Sequence, residues 1–101
     1  MNEVVLSKNS VPVRLTDERW SHIAEEHCEL DEMRQEVLET VADPSLLFAG
    51  HHGEFLAVRE IGMEKYLVVV YRELEKDGFV ITAFLTSRVG YLRKRKLLWT
   101  K

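Results

Sequence analysis

Two threonines and an arginine near the end of this 101-residue chain have the types and spacing to contact a phosphate. Thr82, Thr86 and Arg88 are separated by even numbers of residues, so on a β-strand their side chains share one side. An arginine fork binds two phosphate oxygens, and a threonine hydroxyl orients an oxygen or a water molecule. Threonine is also a favoured strand residue, and the same spacing fits an ordinary solvated strand that leads into a basic tail.

His27 occupies the most informative position of any single residue. Trp20, Ile23, Ala24 and His27 follow the i, i+3, i+4, i+7 spacing of one side of an amphipathic helix. Histidine titrates near neutral pH, so His27 can act as a general acid or base at the end of that helix. The alternative is a core or boundary histidine whose ring nitrogens meet a carbonyl or a carboxylate. We expect His22, on the polar side of the helix, to be simply exposed.

The sequence predicts neither a metal site nor a bound cofactor. The histidine and cysteine spacings match no zinc motif, and the chain has no glycine-rich phosphate loop. Cys28 is the single cysteine, so it forms no internal disulfide, and its acidic neighbours would not activate a thiol. The potential metal ligands of the chain are His22, His27, Cys28, His51 and His52.

The composition, with 46% hydrophobic and 31% charged residues, is that of a compact globular protein. We expect a single domain over residues 1–101, because the length leaves no room for a second core. No apolar run approaches the ~20 residues of a membrane helix, so we expect a cytoplasmic protein without membrane contact.

The net charge of −3 conceals two differently charged segments. Residues 1–87 carry eight basic and seventeen acidic side chains, whereas residues 88–101 carry six basic side chains and no acidic one. A polyanion such as RNA is therefore expected only at the C-terminal segment.

The helices and strands that the sequence predicts indicate an α+β fold, in which two helices precede most of the strands. Thr16 or Asp17 can cap the first helix, and a second helix runs from about Asp31 to Asp43, ahead of Pro44. Strands are predicted at Val11–Leu15, Leu46–Ala49, Glu54–Glu60, Lys65–Leu74 and Phe79–Thr86, and the segment Tyr91–Trp99 is either a short helix or an edge strand. The expected architecture is two N-terminal helices packed on an antiparallel sheet of about four strands.

The last two long strands predict a hairpin whose turn is residues 75–78. This turn pairs Leu74 with Phe79 and Tyr71 with Thr82, and it places the two threonines on the side of the sheet away from the helices. His27 would then face the opposite side. Three arrangements stay open: His27 projects past a sheet edge, the register shifts by one residue, or His27 is structural with Arg72 as its companion.

Two stretches together resemble the barnase–EndoU–colicin–RelE-like superfamily of small nucleases, in its branch associated with phages and mobile elements. The first is Trp20–Leu30, where His22-Ile23 and His27-Cys28-Glu29 resemble a helix end with a His-Ile pair followed by His-Pro-Glu. The second comprises residues 65–70 and 78–86, which resemble the two central strands. Cys28 stands where the pattern has proline. The resemblance covers about Val13 to Arg88.

This resemblance implies a RelE/barnase-like α+β fold and a metal-independent RNase, often one that acts as a toxin. Carried over by position, the implied site residues are His27 as the histidine, Arg59 as a basic residue, Thr82 and Thr86 as the hydroxyls, and Arg88 as a second cation. Arg93, Lys94, Arg95 and Lys96 are the expected RNA-binding residues of the basic segment.

Two hypotheses follow from the sequence. The first is a metal-independent endoribonuclease that uses the RNA 2′-hydroxyl as nucleophile, with RNA as substrate and a neutralising protein as partner. The second is a non-catalytic RNA- or protein-binding module on the same fold. Leu97, Leu98 and Trp99 form either a patch for a homodimer or a cover for the open side of the sheet.

Overall fold

The computed structural model describes residues 2–101, which form two α-helices and seven β-strands. No helix in this range is long and apolar enough to cross a membrane. The helices are α1, Asp17–Glu26, and α2, Arg34–Ala42, and short 3₁₀ turns occupy Cys28–Leu30 and Gly90–Lys94. The strands are β1 Glu3–Leu6, β2 Pro12–Leu15, β3 Leu46–Ala49, β4 Phe55–Gly62, β5 Lys65–Glu73, β6 Gly78–Thr86 and β7 Leu97–Thr100.

The seven strands form one mixed sheet in the order β1-β2-β6-β5-β4-β3-β7. Neighbouring strands are antiparallel except β2 and β6, which are parallel where Val13 and Arg14 pair with Gly78 and Phe79. The predicted α+β class is confirmed, but the antiparallel sheet of about four strands is wrong. The four residues of β1 carry too little alternation to be recognised, and β7 lies in the segment that the sequence left open between a short helix and an edge strand. Both strands depend on pairing with a neighbour.

The order of elements also differs from the expected one. Two strands precede α1, and the C-terminal segment forms both of the structures considered for it, a 3₁₀ turn followed by a strand. β7 pairs with β3 at the far edge of the sheet, so this segment extends the sheet by one strand.

The pairing of β5 with β6 begins one residue earlier than predicted. Tyr66 pairs with Thr86 and Val70 with Thr82, and the register then shifts so that Tyr71 pairs with Val80. The turn lies at residues 74–77, closed by the Leu74 N–H donating to the Asp77 carbonyl at 2.6 Å. The predicted helix-facing side is therefore wrong for β5, where Leu67, Val69 and Tyr71 face α2. It is right for Ala83 and Leu85 of β6, and the two threonines lie away from the helices as predicted.

The main core lies between α2 and the side of the sheet that carries Leu67, Val69 and Tyr71. The α2 residues Val37, Leu38 and Val41 are almost fully buried there. β1 and β7 are at opposite ends of the strand order, yet the Lys8 ammonium lies 4.0 Å from the ring centre of Trp99. The sheet is therefore strongly curled around α2.

The opposite side of the sheet, called the outer face below, carries a second and smaller apolar cluster. Its fully or nearly buried members are Phe48, Leu56, Val58 and Val68, which Leu92 of the C-terminal 3₁₀ turn covers. On β6 the outer face carries Thr82, Phe84 and Thr86, the partners of Val70, Val68 and Tyr66.

Truncating Leu38 to alanine is expected to lower the free energy of unfolding by about 2–5 kcal/mol, because it leaves a cavity between α2 and the sheet. Leu38 is 2% exposed, whereas Leu6 is 59% exposed and provides the matched control. Leu6→Ala should change stability by no more than about 0.5 kcal/mol. Chemical denaturation of both variants measures the difference, and equal losses would contradict the assigned core.

Replacing Tyr71 by phenylalanine is expected to leave stability at pH 7 unchanged or increased. The Tyr71 side chain is fully buried, and its hydroxyl has no hydrogen-bond partner within residues 2–101. Burial and the Glu73 carboxylate both raise the pKa of this phenol. The phenol therefore ionises less readily in the folded protein than in the unfolded chain, where its pKa is about 10. Below that pH the protonated phenol favours the folded state, and this contribution to the free energy of unfolding is lost as the pH rises above it.

The alkaline behaviour provides the measurement for this substitution. Between pH 9 and pH 11 the free energy of unfolding should fall by about 1.4 kcal/mol less in Tyr71→Phe than in the wild type. Identical pH profiles for the two proteins would show that Tyr71 ionises as readily in the folded protein as in the unfolded chain.

Candidate functional site

The position of α1 depends on how β2 leaves the sheet. β2 pairs with β6 only through Val13 and Arg14, and the chain then turns into α1. Arg19, in the first turns of α1, donates to the Ile81 carbonyl at 3.4 Å, and the ring of His27, just after α1, lies 6.3 Å from that of Phe84. The helix therefore continues in the direction of β2 and lies along the edge of β6.

Local signals in the sequence explain why α1 begins at this point. The Thr16 side chain accepts a hydrogen bond from the Arg19 N–H at 3.0 Å, which satisfies one of the free N–H groups of the first turn. Asp17 and Glu18 follow in that turn, where a negative charge favours the helix.

His27 lies at the C-terminal end of α1, outside the main core. Its N–H donates to the Ile23 carbonyl at 2.8 Å, but its φ of −133° and ψ of 73° are not helical. The imidazole Nδ1 is 3.5 Å from the Glu29 carboxylate, and the side chain is 32% exposed. The ring reaches the outer face beside Phe84, where Thr82 and Thr86 lie as predicted, so projection past the sheet edge is the arrangement that the structure shows.

His27 and Thr82 line one groove, which we call the α1 groove, between α1 and the edge of β6. Its volume is about 300 Å³, and its other lining residues are Arg19, His22, Ile23, Glu26 and Ile81. An adjoining depression of about 380 Å³ shares Arg19, His22 and Glu26 with it. Two imidazoles, a guanidinium, a hydroxyl and the Glu26 carboxylate thus surround one solvent-open space.

Arg19 and His22 are lining residues that the sequence alone did not predict. His22 is exposed as expected, but it faces the α1 groove rather than open solvent alone. Arg19, His22 and Glu26 are spaced i, i+3 and i+7, which is one face of a helix, and this signal was available. This spacing indicates a site only once the structure shows that this face of α1 lies against β6.

Thr86 and Arg88 lie at the other end of β6 from Thr82. Four residues of strand separate the two threonines, which corresponds to about 13 Å. The Thr86 hydroxyl accepts from the Arg88 N–H at 3.0 Å and donates to the Arg88 carbonyl at 3.3 Å, so it shapes the turn after β6. Arg88 lines a separate groove there, and the predicted single site with His27 is not formed.

Arg59 is on the opposite side of the sheet from the α1 groove. It pairs with Leu67 of β5, and its guanidinium forms a 3.2 Å ion pair with Glu39 of α2. The structure therefore does not bring Arg59 to His27 or to Thr82, because alternation along β4 directs its side chain toward the helices.

The basic segment after β6 lies on the outer face of the sheet. Leu92 is buried under it, while Arg93, Lys94 and Lys96 are exposed and Arg95 is half-buried. Arg93 and Lys94 are in the last turn of the 3₁₀ segment, where positive charge is favourable.

The remaining histidines lie in the loop between β3 and β4. The His52 N–H donates to the Glu54 carboxylate at 2.8 Å, which lowers the pKa of that carboxyl, and Arg72 donates to the His52 carbonyl at 2.8 Å. Arg72 therefore binds this loop and is not the interaction partner of His27. Within residues 2–101 no three His, Cys, Asp or Glu side chains are grouped so that they could hold a metal ion.

Comparisons of this chain with known protein families, with curated proteins and with solved structures found no match. Its function is therefore inferred from the residues and their geometry.

Thr16→Ala is expected to lower the free energy of unfolding by about 1 kcal/mol, because the first turn of α1 loses its side-chain acceptor. Thr16→Ser keeps the hydroxyl and is the matched control, expected to stay within about 0.5 kcal/mol of the wild type. Thermal or denaturant unfolding measures both variants. Equal stabilities of the alanine and serine variants would show that Thr16 does not cap α1.

Proposed function

We propose that this protein is a metal-independent endoribonuclease whose reaction takes place in the α1 groove. The observation that carries the proposal is the convergence of His27, His22, Arg19 and Thr82 on one open space. Proton-transfer groups, a phosphate-binding cation and a hydroxyl are the groups that RNA cleavage needs when no metal ion takes part.

The proposed reaction is an internal transesterification. The ribose 2′-oxygen forms a bond to the adjacent phosphorus while its proton passes to a base, and the bond from phosphorus to the 5′-oxygen breaks as an acid protonates that oxygen. The products are a 2′,3′-cyclic phosphate and a 5′-hydroxyl. His27 and His22 carry the two protons, since imidazole gives and accepts protons near neutral pH.

Arg19 and Thr82 stabilise the charge that develops on the phosphate. The Arg19 guanidinium offers two parallel N–H donors to the phosphate oxygens, and the Thr82 hydroxyl offers a third. The contact of Glu29 with Nδ1 of His27, 3.5 Å away, orients the imidazole and leaves its Nε2 for the proton.

We also propose that the fold is a variant of the RelE/barnase-like architecture with added edge strands. Support for this comes from α1, α2 and the β5–β6 hairpin, which follow one another in the order that the resemblance implies. A toxin-like role and a neutralising protein partner belong to the same proposal.

Substituting His27 by alanine is expected to lower the rate of RNA cleavage by about 10²–10⁴-fold in the presence of a chelator, because a positioned acid or base is lost. His51→Ala is the matched control, since His51 is an exposed histidine of the β3–β4 loop that lines no part of the α1 groove. The readout is gel separation of a labelled single-stranded RNA, with the cyclic phosphate detected by its resistance to phosphatase until acid treatment opens it.

Thermal unfolding of both variants separates a loss of chemistry from a loss of fold. Equal cleavage by His27→Ala and by His51→Ala would exclude the proposed role of His27. RNA that binds the wild type without being cleaved would assign the non-catalytic binding module instead.

A further inference from the structure

A second and larger groove lies at the turn that follows β6. Its volume is about 740 Å³, and we call it the turn groove. Arg88 and Ser87 come from the turn itself, and Tyr91 comes from the 3₁₀ segment. The full lining is Glu64, Tyr66, Ser87, Arg88, Val89, Gly90 and Tyr91. The groove shares no residue with the α1 groove.

Aromatic rings with accessible faces distinguish this groove. Tyr91 is 49% exposed, so its ring has an accessible face, and Tyr66 is half-buried in the floor. Tyrosine rings of this kind stack on unpaired nucleobases, and stacking is tolerant of sequence because every base has a flat face.

The polar residues of the turn groove have the chemistry to bind the phosphate, the ribose and the polar groups of the base. The exposed Arg88 guanidinium can bind phosphate oxygens in a bidentate manner. Glu64, in the tight turn between β4 and β5, presents only acceptors when ionised, which suits ribose hydroxyls or base N–H groups. The exposed Arg93 and Lys94 follow Tyr91 in the chain and add positive charge on this side.

The outer face of β6 joins the two grooves. Thr86 pairs with Tyr66 of the turn groove, and Thr82 lines the α1 groove. Phe84 lies between them on the same face, half-buried, with the His27 ring beside it. A nucleic acid strand that enters the turn groove therefore meets another aromatic ring before it reaches the α1 groove.

We infer that the turn groove holds one unpaired nucleotide of a single-stranded RNA whose neighbouring nucleotides cross the outer face of β6 toward the α1 groove. The inference depends on the proposed function for the identity of the ligand as RNA. It assigns Arg88 and Tyr91 to binding of the strand, away from the reacting phosphate.

The test uses the full chain and a fluorescein-labelled oligoribonucleotide of about eight nucleotides, within the usual site sizes for single strands. Every ribose is 2′-O-methylated, so the probe has no 2′-hydroxyl nucleophile and cannot be cleaved by the proposed route. Fluorescence anisotropy gives its Kd at several salt concentrations, and an unlabelled duplex of the same sequence serves as competitor.

Tyr91→Ala is expected to raise the Kd about tenfold through the loss of base stacking, whereas Tyr91→Phe keeps the ring and should bind within about twofold of the wild type. Arg88→Met should raise the Kd and reduce the slope of log Kd against log salt by about 0.7, because one phosphate contact is lost. Met63→Ala is the control: Met63 is 95% exposed, precedes Glu64 in the same turn and does not line the groove. Its Kd should equal that of the wild type.

The outcomes separate this inference from the proposed function. Wild-type affinity in both Tyr91→Ala and Arg88→Met, or no binding of the probe at low salt, would overturn the inference even if the wild type cleaves RNA. A duplex that competes as well as the single strand would also overturn it. Loss of binding in both variants, with Met63→Ala unaffected, supports the inference even if no RNA is cleaved.

Discussion

The close approach of Gly78 to strand β5 sets the pairing on which the other features depend. A Cβ atom at Gly78 would lie 2.4 Å from the Arg72 carbonyl oxygen, closer than any side chain tolerates, so the residue has no room for one. Gly78 pairs with Glu73 as the first residue of β6, and the turn is confined to residues 74–77. From this starting point the ladder directs Val80 and Ala83 toward α2 and directs Thr82, Phe84 and Thr86 outward.

The irregularity in the ladder near Ile81 is the second consequence of this pairing. Val70 pairs with Thr82 but Tyr71 pairs with Val80, which leaves Ile81 as an extra residue on the β6 side. Ile81 lies at the edge of β6 where its carbonyl meets Arg19, and its side chain lines the α1 groove. A β-bulge of this kind often re-aims side chains next to functional sites. Here it accompanies the groove that contains His27 and Thr82.

The uneven distribution of charge is consistent with the division of the surface. Two acidic residues in and directly after α2 form ion pairs with neighbouring elements, Glu39 with Arg59 and Asp43 with Lys101. The Lys101 ammonium lowers the pKa of Asp43. The basic residues that follow β6 lie on the outer face instead, where Arg93 and Lys94 are exposed. The side of the sheet that faces α2 and the side with the two grooves therefore differ in charge as well as in packing.

The sequence by itself determined the α+β class, the two helices, the β5–β6 hairpin and the position of His27 at a helix end. Each of these depends on local signals, such as a cap, a periodicity or a run of β-branched residues, that act over a few neighbours along the chain. Only the tertiary structure decided the strand number, the register and the composition of each groove. Edge strands gain order from distant partners, and a glycine that fits only against β5 shifted the hairpin by one residue. Arg59 lies outside the predicted site because its side chain faces α2. Arg19 and His22 lie beside His27 because α1 packs along a strand about sixty residues later in the chain.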